Sequence, residues 1–131
     1  MQFRNVYRRD WFLKFDNTGL ENFKVDLTRL DDIMERHRMV RAGQWDYERV
    51  TYDKKYTIKE GTYYLRVQGY ATEGDVDSFD AVIQLMPPIL GKYYYPHGIE
   101  YGDDEYFPHD LIKHCRKVLE ALKEDLAVFA E

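Results

Sequence analysis

The sequence predicts an α+β fold in which a curved antiparallel five-stranded sheet carries one short and one long helix on one face. Between residues 20 and 95, the apolar pattern changes from helical spacing to alternation, with short turns between the alternating segments. Strands joined by short turns pair antiparallel. A long apolar stripe at helical spacing follows Pro108. With 131 residues, 44% of them hydrophobic, and no repeat or linker, the chain is expected to form one domain.

The apolar pattern of residues 20–38 predicts a strand followed by a short helix. Apolar side chains alternate within residues 20–27, as they do in a strand. Asp26 or Thr28 then offers the N-cap of a helix that ends near Arg38. One apolar stripe runs along this helix at positions i, i+3, i+4 and i+7: Leu30, Ile33, Met34 and His37. His37 is interpreted as a partly buried packing residue rather than a ligand.

Four more strands are predicted, over residues 41–52, 56–71, 80–86 and 91–95. Residues 53–55 are expected to form a turn, and Pro87-Pro88 ends the third of these strands because proline cannot donate to a ladder. Residues 56–71 alternate most clearly. The core face is assigned Tyr63, Leu65, Val67, Gly69 and Ala71, and the opposite face Tyr64, Arg66, Gln68 and Tyr70. In the next strand, the inward residues are Ala81, Ile83 and Leu85, with Gln84 outward.

The apolar spacing at the end of the chain predicts a helix of about 22 residues, roughly 33 Å long. Pro108 suits its first turn. Its apolar stripe comprises Leu111, Cys115, Val118, Leu122 and Phe129, widened by Ile112, Leu119 and Leu126. Five strands at about 4.8 Å spacing span about 19 Å. One such helix can therefore cover one whole face of the sheet.

Composition excludes several classes of protein. A net charge of -5 argues against nucleic acid or an anionic membrane surface as the main partner. No apolar run is long enough for a transmembrane helix or a signal peptide. The single cysteine excludes an internal disulfide, and a cytoplasmic location is expected.

The sequence shows no catalytic or cofactor motif. Residues 73–80 and 100–110 are acidic and are interpreted as solvated loops. The alternative, a Ca²⁺ or Mg²⁺ site, lacks the spacing of a calcium loop. The histidines and Cys115 lack metal-ligand spacing, and no glycine motif for phosphate is present. His114 and Cys115 are helix neighbours that point about 100° apart, so Cys115 is predicted to lie in the core. We therefore assign no catalytic residue, no metal and no cofactor; general acid-base catalysis by carboxylates that meet in the folded chain stays open as an alternative.

The helix-free face of the sheet is the most informative surface. Alternation assigns to it Gln44, Asp46, Glu48, Tyr64, Arg66, Gln68, Tyr70, Gln84 and Tyr94. Tyrosine and arginine are typical of contact surfaces, although tyrosine also simply stabilises half-exposed sheets. Asp46 and Glu48 are predicted to form cross-strand ion pairs with Arg66. Two carboxylates against one arginine would repel phosphate, which again argues against nucleic acid.

Long segments of the chain resemble the YugN-like family of small bacterial proteins: GQWDYERVTYD, GTYYLRVQGYA and AVIQLMPPILGKYYYPHGIEYG. The resemblance runs from about Lys14 to the last helix. It implies a β-α-β4-α arrangement like that of the TATA-binding protein, but no activity and no functional residues. Family members begin near Lys14, so residues 1–13 are interpreted as an N-terminal extension and 14–131 as one domain. Leu13 could be encoded by a TTG start codon, which would make residues 1–12 an over-long gene prediction.

Three functional hypotheses follow. The first is a non-enzymatic cytoplasmic module that binds a protein partner or a second copy of itself through the helix-free face. The second is a small-molecule pocket, catalytic or not, and the third is a structural protein with no site. The predicted binding residues are Tyr64, Arg66, Gln68, Tyr70, Gln84, Tyr94 and His97.

Overall fold

Two helices cover one face of a seven-stranded antiparallel sheet in a computed structural model that describes residues 12–42, 46–77, 80–93 and 107–130. This confirms the predicted α+β class. The helices are α1 (Leu27–Arg36) and α2 (His109–Ala127). The strands are β1 (Phe12–Lys14), β2 (Lys24–Asp26), β3 (Val40–Arg41), β4 (Arg49–Ile58), β5 (Gly61–Glu73), β6 (Val82–Leu85) and β7 (Ile89–Tyr93).

The long strand β5 organises the sheet. Strand β4 pairs with it along one side, and β3 lies outside β4. Along the other side, β7 pairs with its first half and β6 with its second half. Strands β1 and β2 then lie outside β7 and β6, respectively. Seven strands thus fill five positions across the sheet. The count exceeds the predicted five because two of those positions each hold two short strands.

The predicted turn at residues 53–55 is wrong. These residues lie inside β4, whose register with β5 runs without interruption from Arg49 opposite Tyr70 to Ile58 opposite Gly61. The hairpin instead turns at Lys59 and Glu60. The charged side chains of residues 53–55 suggested a turn, but two of them have partners that only the folded chain supplies.

The predicted strand over residues 41–52 is also not continuous. Strand β3 ends at Arg41, β4 begins at Arg49, and residues 46–48 form a bend between them. Residues 43–45, including Gln44, lie outside the described residues. Asp46 and Glu48 therefore do not share a strand face. Instead, an Asp46 carboxylate oxygen accepts a hydrogen bond from the Glu48 backbone N–H at 2.9 Å, a local turn contact.

The helices are as predicted in place and in buried face. Asp26 caps α1, since its carboxylate accepts the Arg29 backbone N–H at 3.2 Å. Helix α2 follows Pro108 and has 19 residues. Its buried residues match the predicted stripe: Leu111, Cys115, Leu119, Leu122 and Leu126. Neither helix of the described chain is long and apolar enough to cross a membrane.

Contacts of β4 show that both helices lie on the same face of the sheet. The Tyr52 hydroxyl donates to Asp31 of α1, and the Tyr56 ring meets the His114 ring of α2 edge-on, with centroids 5.3 Å apart. On β5, the predicted core residues Tyr63, Leu65 and Val67 are fully buried on this side. Burial, together with the hydrogen bond to Asp31, raises the pKa of Tyr52.

The N-terminal strand reaches further back than the family resemblance implied. Phe12 pairs with Gly91 and Leu13 with Leu90, so the predicted boundary at Lys14 falls inside β1. Residues 1–11 lie outside the described residues.

Candidate functional site

The strand register defines the composition of the helix-free face. Directly opposite residues of antiparallel strands point to the same side of a sheet, so each row across the strands can be read from the pairing. One row, the Tyr64 row, contains Phe12, Gly91, Tyr64 and Lys55. The next, the Arg66 row, contains Lys14, Ile89, Arg66 and Asp53. Further along β5, a third row contains Lys24, Gln84, Tyr70 and Arg49.

The structure divides the predicted binding residues between two parts of this face. Tyr64 and Arg66 lie together at the β7 end, whereas Tyr70 and Gln84 face each other at the β6 end. Tyr70 follows Tyr64 by six positions along β5, a distance of about 20 Å. Between the two parts, Thr51 lies opposite Gln68 and is only 3% exposed. The predicted residues therefore do not converge on one pocket. Tyr94 and His97 lie outside the described residues.

The side chain of Gln84 is engaged in two hydrogen bonds within the protein. Its side-chain amide donates to the Glu21 carbonyl at 2.7 Å and to the Leu85 carbonyl at 3.0 Å. The bond to Glu21 ties β6 to the turn at Leu20–Asn22. This role fits a structural residue better than a ligand-binding one.

Arg66 forms a two-point ion pair with Asp53. Its Nε and one terminal nitrogen donate to the two carboxylate oxygens at 2.7 and 2.8 Å. Asp53 thus replaces Asp46 and Glu48, the partners that the sequence analysis assigned. The hydrogen bonds from Arg66 to Asp53 raise the pKa of the guanidinium, which stays charged. Arginine carries five N–H donors, so three remain for a ligand.

A shallow hollow lies beside Arg66, with a volume of about 170 Å³. Gly91 leaves it open because this residue adds no side chain between Phe12 and Tyr64. The Tyr64 and Tyr93 rings pack edge-to-face at one side, with centroids 6.3 Å apart. Its lining, which we call the aromatic hollow, is Tyr64, Arg66, Ile89, Gly91, Lys92 and Tyr93. At its border Phe12 is 41% exposed, and Tyr93 is 49% exposed.

Most of this hollow was not predicted from the sequence. Alternation assigned Tyr94 to the helix-free face, whereas the register places Tyr93 there, opposite Thr62. Phe12 was assigned to the N-terminal extension. The alternation of Ile89, Gly91 and Tyr93 carried the necessary signal, but the predicted strand began two residues too late to use it.

The charge of the helix-free face also differs from the prediction. The three rows defined above hold five cationic side chains and one carboxylate, Asp53. The cations are Lys14, Lys24, Arg49, Lys55 and Arg66. Two other carboxylates, Asp26 and Glu73, lie beyond these three rows, where both residues pair with Val82 of β6. The predicted excess of carboxylates was wrong because Asp46 and Glu48 precede β4.

A larger cleft lies between the end of β4 and the start of α2, with a volume of about 570 Å³. Small-molecule sites have volumes of about 300–1,000 Å³. The Tyr56 hydroxyl beside it is buried and has no hydrogen-bond partner among the described residues. Burial raises the pKa of this phenol, and the neighbouring Cys115 thiol raises it further. The lining is Tyr56, Ile58, Glu60, Pro108, His109, Asp110, Leu111 and His114. No sequence signal could have found it, since it depends on where the β4–β5 hairpin ends.

The other candidate chemistries gain no support from the described residues. Within these ranges, no three histidine, cysteine or acidic side chains are grouped so that they could hold a metal ion. Cys115 is fully buried in the core, as predicted. Burial raises the pKa of its thiol to about 11, which disfavours the nucleophilic thiolate.

Comparison with known proteins gives one family and no activity. The model of the YugN-like family matches residues 16–118. The chain is 58% identical over 115 residues to the uncharacterized protein YlbA of Bacillus subtilis (strain 168), covering 88% of this chain and 92% of the relative. It is also similar to the crystal structure of the uncharacterized conserved protein YugN from Geobacillus kaustophilus HTA426, with a TM-score of 0.80 and 66% identity. That match covers 88% of this chain and 96% of the other.

Proposed function

The chain belongs to the YugN-like family, and we propose that it is a cytoplasmic, non-enzymatic binding module that docks a protein partner on the helix-free face. One observation carries this proposal. Half-exposed aromatic side chains surround the aromatic hollow, next to a guanidinium that is already held in place.

The composition of this part of the face suits protein recognition. Tyrosine, phenylalanine and arginine are enriched in interface centres and supply much of the binding energy there. Here the side chains are also preorganised, because Asp53 fixes Arg66 and the Tyr93 ring packs against Tyr64. Preorganised groups lose little conformational entropy when a partner binds.

The size of the patch favours a transient complex. The Tyr64 and Arg66 rows lie about 7 Å apart and run across four neighbouring strands at about 4.8 Å spacing, so they cover only a few hundred Å². Stable interfaces bury about 800 Å² on each partner. The proposed partner therefore associates weakly unless it also reaches the Tyr70 end of the face.

The groups at the hollow are suited to binding rather than to proton transfer. Arg66 keeps its charge because Asp53 raises the pKa of its guanidinium, so it does not serve as a general base at neutral pH.

Site-specific photo-crosslinking in the producing cell tests the proposal. A benzophenone amino acid replaces Tyr64 or Lys55 on the helix-free face, or the exposed Lys113 or Lys117 on the outer side of α2 as matched controls. We expect a discrete adduct from the first pair and none from the second. An adduct of twice the chain mass would identify a second copy as the partner. Equal labelling at all four positions, or none at Tyr64 and Lys55, would refute docking on this face.

A small-molecule site in the cleft beside α2 is the second candidate function. Its volume of about 570 Å³ and the unpaired Tyr56 hydroxyl favour it. A thermal-shift screen of metabolites tests it, because a ligand that binds only the folded state raises the melting temperature. A compound that stabilises the wild type but not Ile58→Trp, which fills the cleft, would support this function. Equal shifts in both proteins would place the ligand elsewhere.

A further inference from the structure

Resting on the proposed function, we infer that the aromatic hollow binds an extended, acidic segment of another protein. In this complex, a carboxylate of the segment contacts Arg66, and a flat side chain two residues away covers Gly91. Four properties of the described residues lead to this assignment.

The first property is local charge. The chain has a net charge of -5, yet Lys14 and Lys55 border the hollow on β1 and β4, with Arg66 between them. Both lysines are exposed and have no ion pair among the described residues. Asp53 is the one carboxylate in these rows, and Arg66 already engages both of its oxygens. A cationic patch on an acidic protein attracts anionic partners selectively.

The second property is the number of Arg66 N–H groups that do not bind Asp53. Two of its five N–H groups bind Asp53, and the side chain lines the hollow while remaining 41% exposed. The remaining donors can bind a carboxylate oxygen of the partner. Since Asp53 fixes the guanidinium plane, binding orders no further part of this side chain.

The third property is the size of the hollow. Its volume is about 170 Å³, and a cavity of about 150 Å³ accepts one benzene ring. The Tyr64 and Tyr93 rings bound it, and Gly91 offers backbone where another residue would carry a side chain. One flat apolar side chain therefore fits against this surface.

The fourth property is spacing. Tyr64 lies opposite Gly91 and Arg66 lies opposite Ile89, so the two contact points are one row apart. Adjacent rows on one face are about 7 Å apart, which is also the distance between side chains i and i+2 of an extended chain. An extended segment with a ring and a carboxylate two residues apart therefore matches both points at once.

The same properties disfavour two other occupants. A second copy that presents the same face would bring cationic rows against cationic rows. A nucleic acid carries charge along its whole length and would extend past the cationic rows, where the net charge of -5 repels it, whereas a short acidic segment contacts only those rows. Both remain outcomes of the test.

The probe is a fluorescein-labelled peptide, GFSESFSEG, in which phenylalanine and glutamate alternate on one face. Fluorescence anisotropy gives its Kd, and amide chemical shifts of the ¹⁵N-labelled protein locate it. We expect the largest shifts at Tyr64, Arg66 and Gly91. The lysine analogue GFSKSFSKG should bind at least tenfold more weakly. Raising the NaCl concentration from about 50 to 300 mM should raise the Kd of the acidic peptide severalfold, since salt screens exposed charges.

Charge reversal supplies the matched control. The double variant Lys14→Glu/Lys55→Glu should raise the Kd at least tenfold. The double variant Lys113→Glu/Lys117→Glu makes the same change in net charge on the exposed side of α2 and should change the Kd less than twofold. Equal losses in both variants, equal binding of the lysine peptide, or shifts confined to other surfaces would overturn the inference.

Two further arms separate this inference from the proposed function. Tighter binding of a (dT)20 oligonucleotide than of the acidic peptide would replace the protein segment with nucleic acid. A dimer in light scattering that Tyr64→Ser abolishes would replace it with a second copy. If the Tyr64 crosslink persists in Lys14→Glu/Lys55→Glu, docking stands and the acidic partner is refuted. If the protein with the benzophenone residue at position 64 and no other substitution gives no crosslink, the proposed function itself fails.

Discussion

Gly69 lies in β5 where this strand pairs with β6, and its replacement by alanine tests the packing of the core. A Cβ at this position would lie 2.4 Å from Ile83 Cγ2, 3.0 Å from the Gln84 carbonyl oxygen and 3.3 Å from Leu85 Cδ2. Ile83 is fully buried, and Leu85 is 2% exposed. Neither side chain can move aside without disturbing its own neighbours.

Two effects oppose each other in Gly69→Ala. Removing glycine from a strand interior is expected to stabilise by about 0.5–1 kcal/mol, because the unfolded chain loses freedom. Overpacking a buried site costs about 1–3 kcal/mol, and the 2.4 Å approach to Ile83 favours the upper half of that range. We expect a net loss of about 1–2 kcal/mol. For a chain of this length, the melting temperature should fall by about 4–8 °C.

Urea denaturation of wild type and Gly69→Ala measures this difference. A double-mutant cycle with Ile83→Ala identifies its cause, because that change removes the atom closest to the new Cβ. In the Ile83→Ala background, Gly69→Ala should cost less than about 0.5 kcal/mol or become stabilising. A gain of stability from Gly69→Ala alone, or an equal loss in both backgrounds, would refute the packing argument.

Three more predictions concern stability and are measured by the same urea titrations. Native Cys115 keeps its proton up to a pKa of about 11, while its ordinary pKa is 9.0. Cys115 should therefore lower the free energy of unfolding by about 1.4 kcal/mol per pH unit between these values, in addition to what Tyr52 and Tyr56 contribute; Cys115→Ala should remove the cysteine's contribution, and an unchanged slope would contradict it. Asp26→Ala removes the cap of α1 and should cost about 1 kcal/mol, whereas Asp26→Asn should cost less; equal costs would argue against capping. Tyr56→Phe removes a buried hydroxyl that has no hydrogen bond and only a weak interaction with the Cys115 thiol, and should stabilise by up to about 1 kcal/mol; a clear loss would show that the interaction with Cys115 outweighs the cost of burying the hydroxyl.

The sequence was sufficient where periodicity alone decides burial. Alternation in β5 correctly separated the buried Tyr63, Leu65 and Val67 from the half-exposed side. The stripe of α2 and the cap of α1 at Asp26 were also predicted, because each depends on residues only a few positions apart.

Prediction failed where a distant partner decides the structure. Residues 53–55 read locally as a turn, but Arg66 binds Asp53, and the Lys54 ammonium donates to the His37 carbonyl at 3.1 Å. Those contacts hold the charged segment in β4. The same error moved Asp46 and Glu48 onto the strand and reversed the inferred charge of the helix-free face.

The candidate site was predictable only in part. Tyr64 and Arg66 followed from alternation, whereas the aromatic hollow requires β7 to lie beside β5 with Gly91 opposite Tyr64. No local pattern fixes that register. The cleft beside α2 was out of reach for the same reason, because its two walls are about fifty residues apart in the chain.

The divided pairing of β5 also bears on solubility. The outermost strands β1, β2 and β3 contain three, three and two residues. A long free strand offers an uninterrupted ladder of backbone donors and acceptors on which fibrils can grow. Segments this short present too few consecutive groups to recruit another polypeptide. Strand β4 extends past β3 from Lys54 to Ile58, and the lysines at positions 54 and 55 place charge on that uncovered edge. An otherwise open sheet is thereby guarded against uncontrolled polymerisation while its broad surface stays accessible.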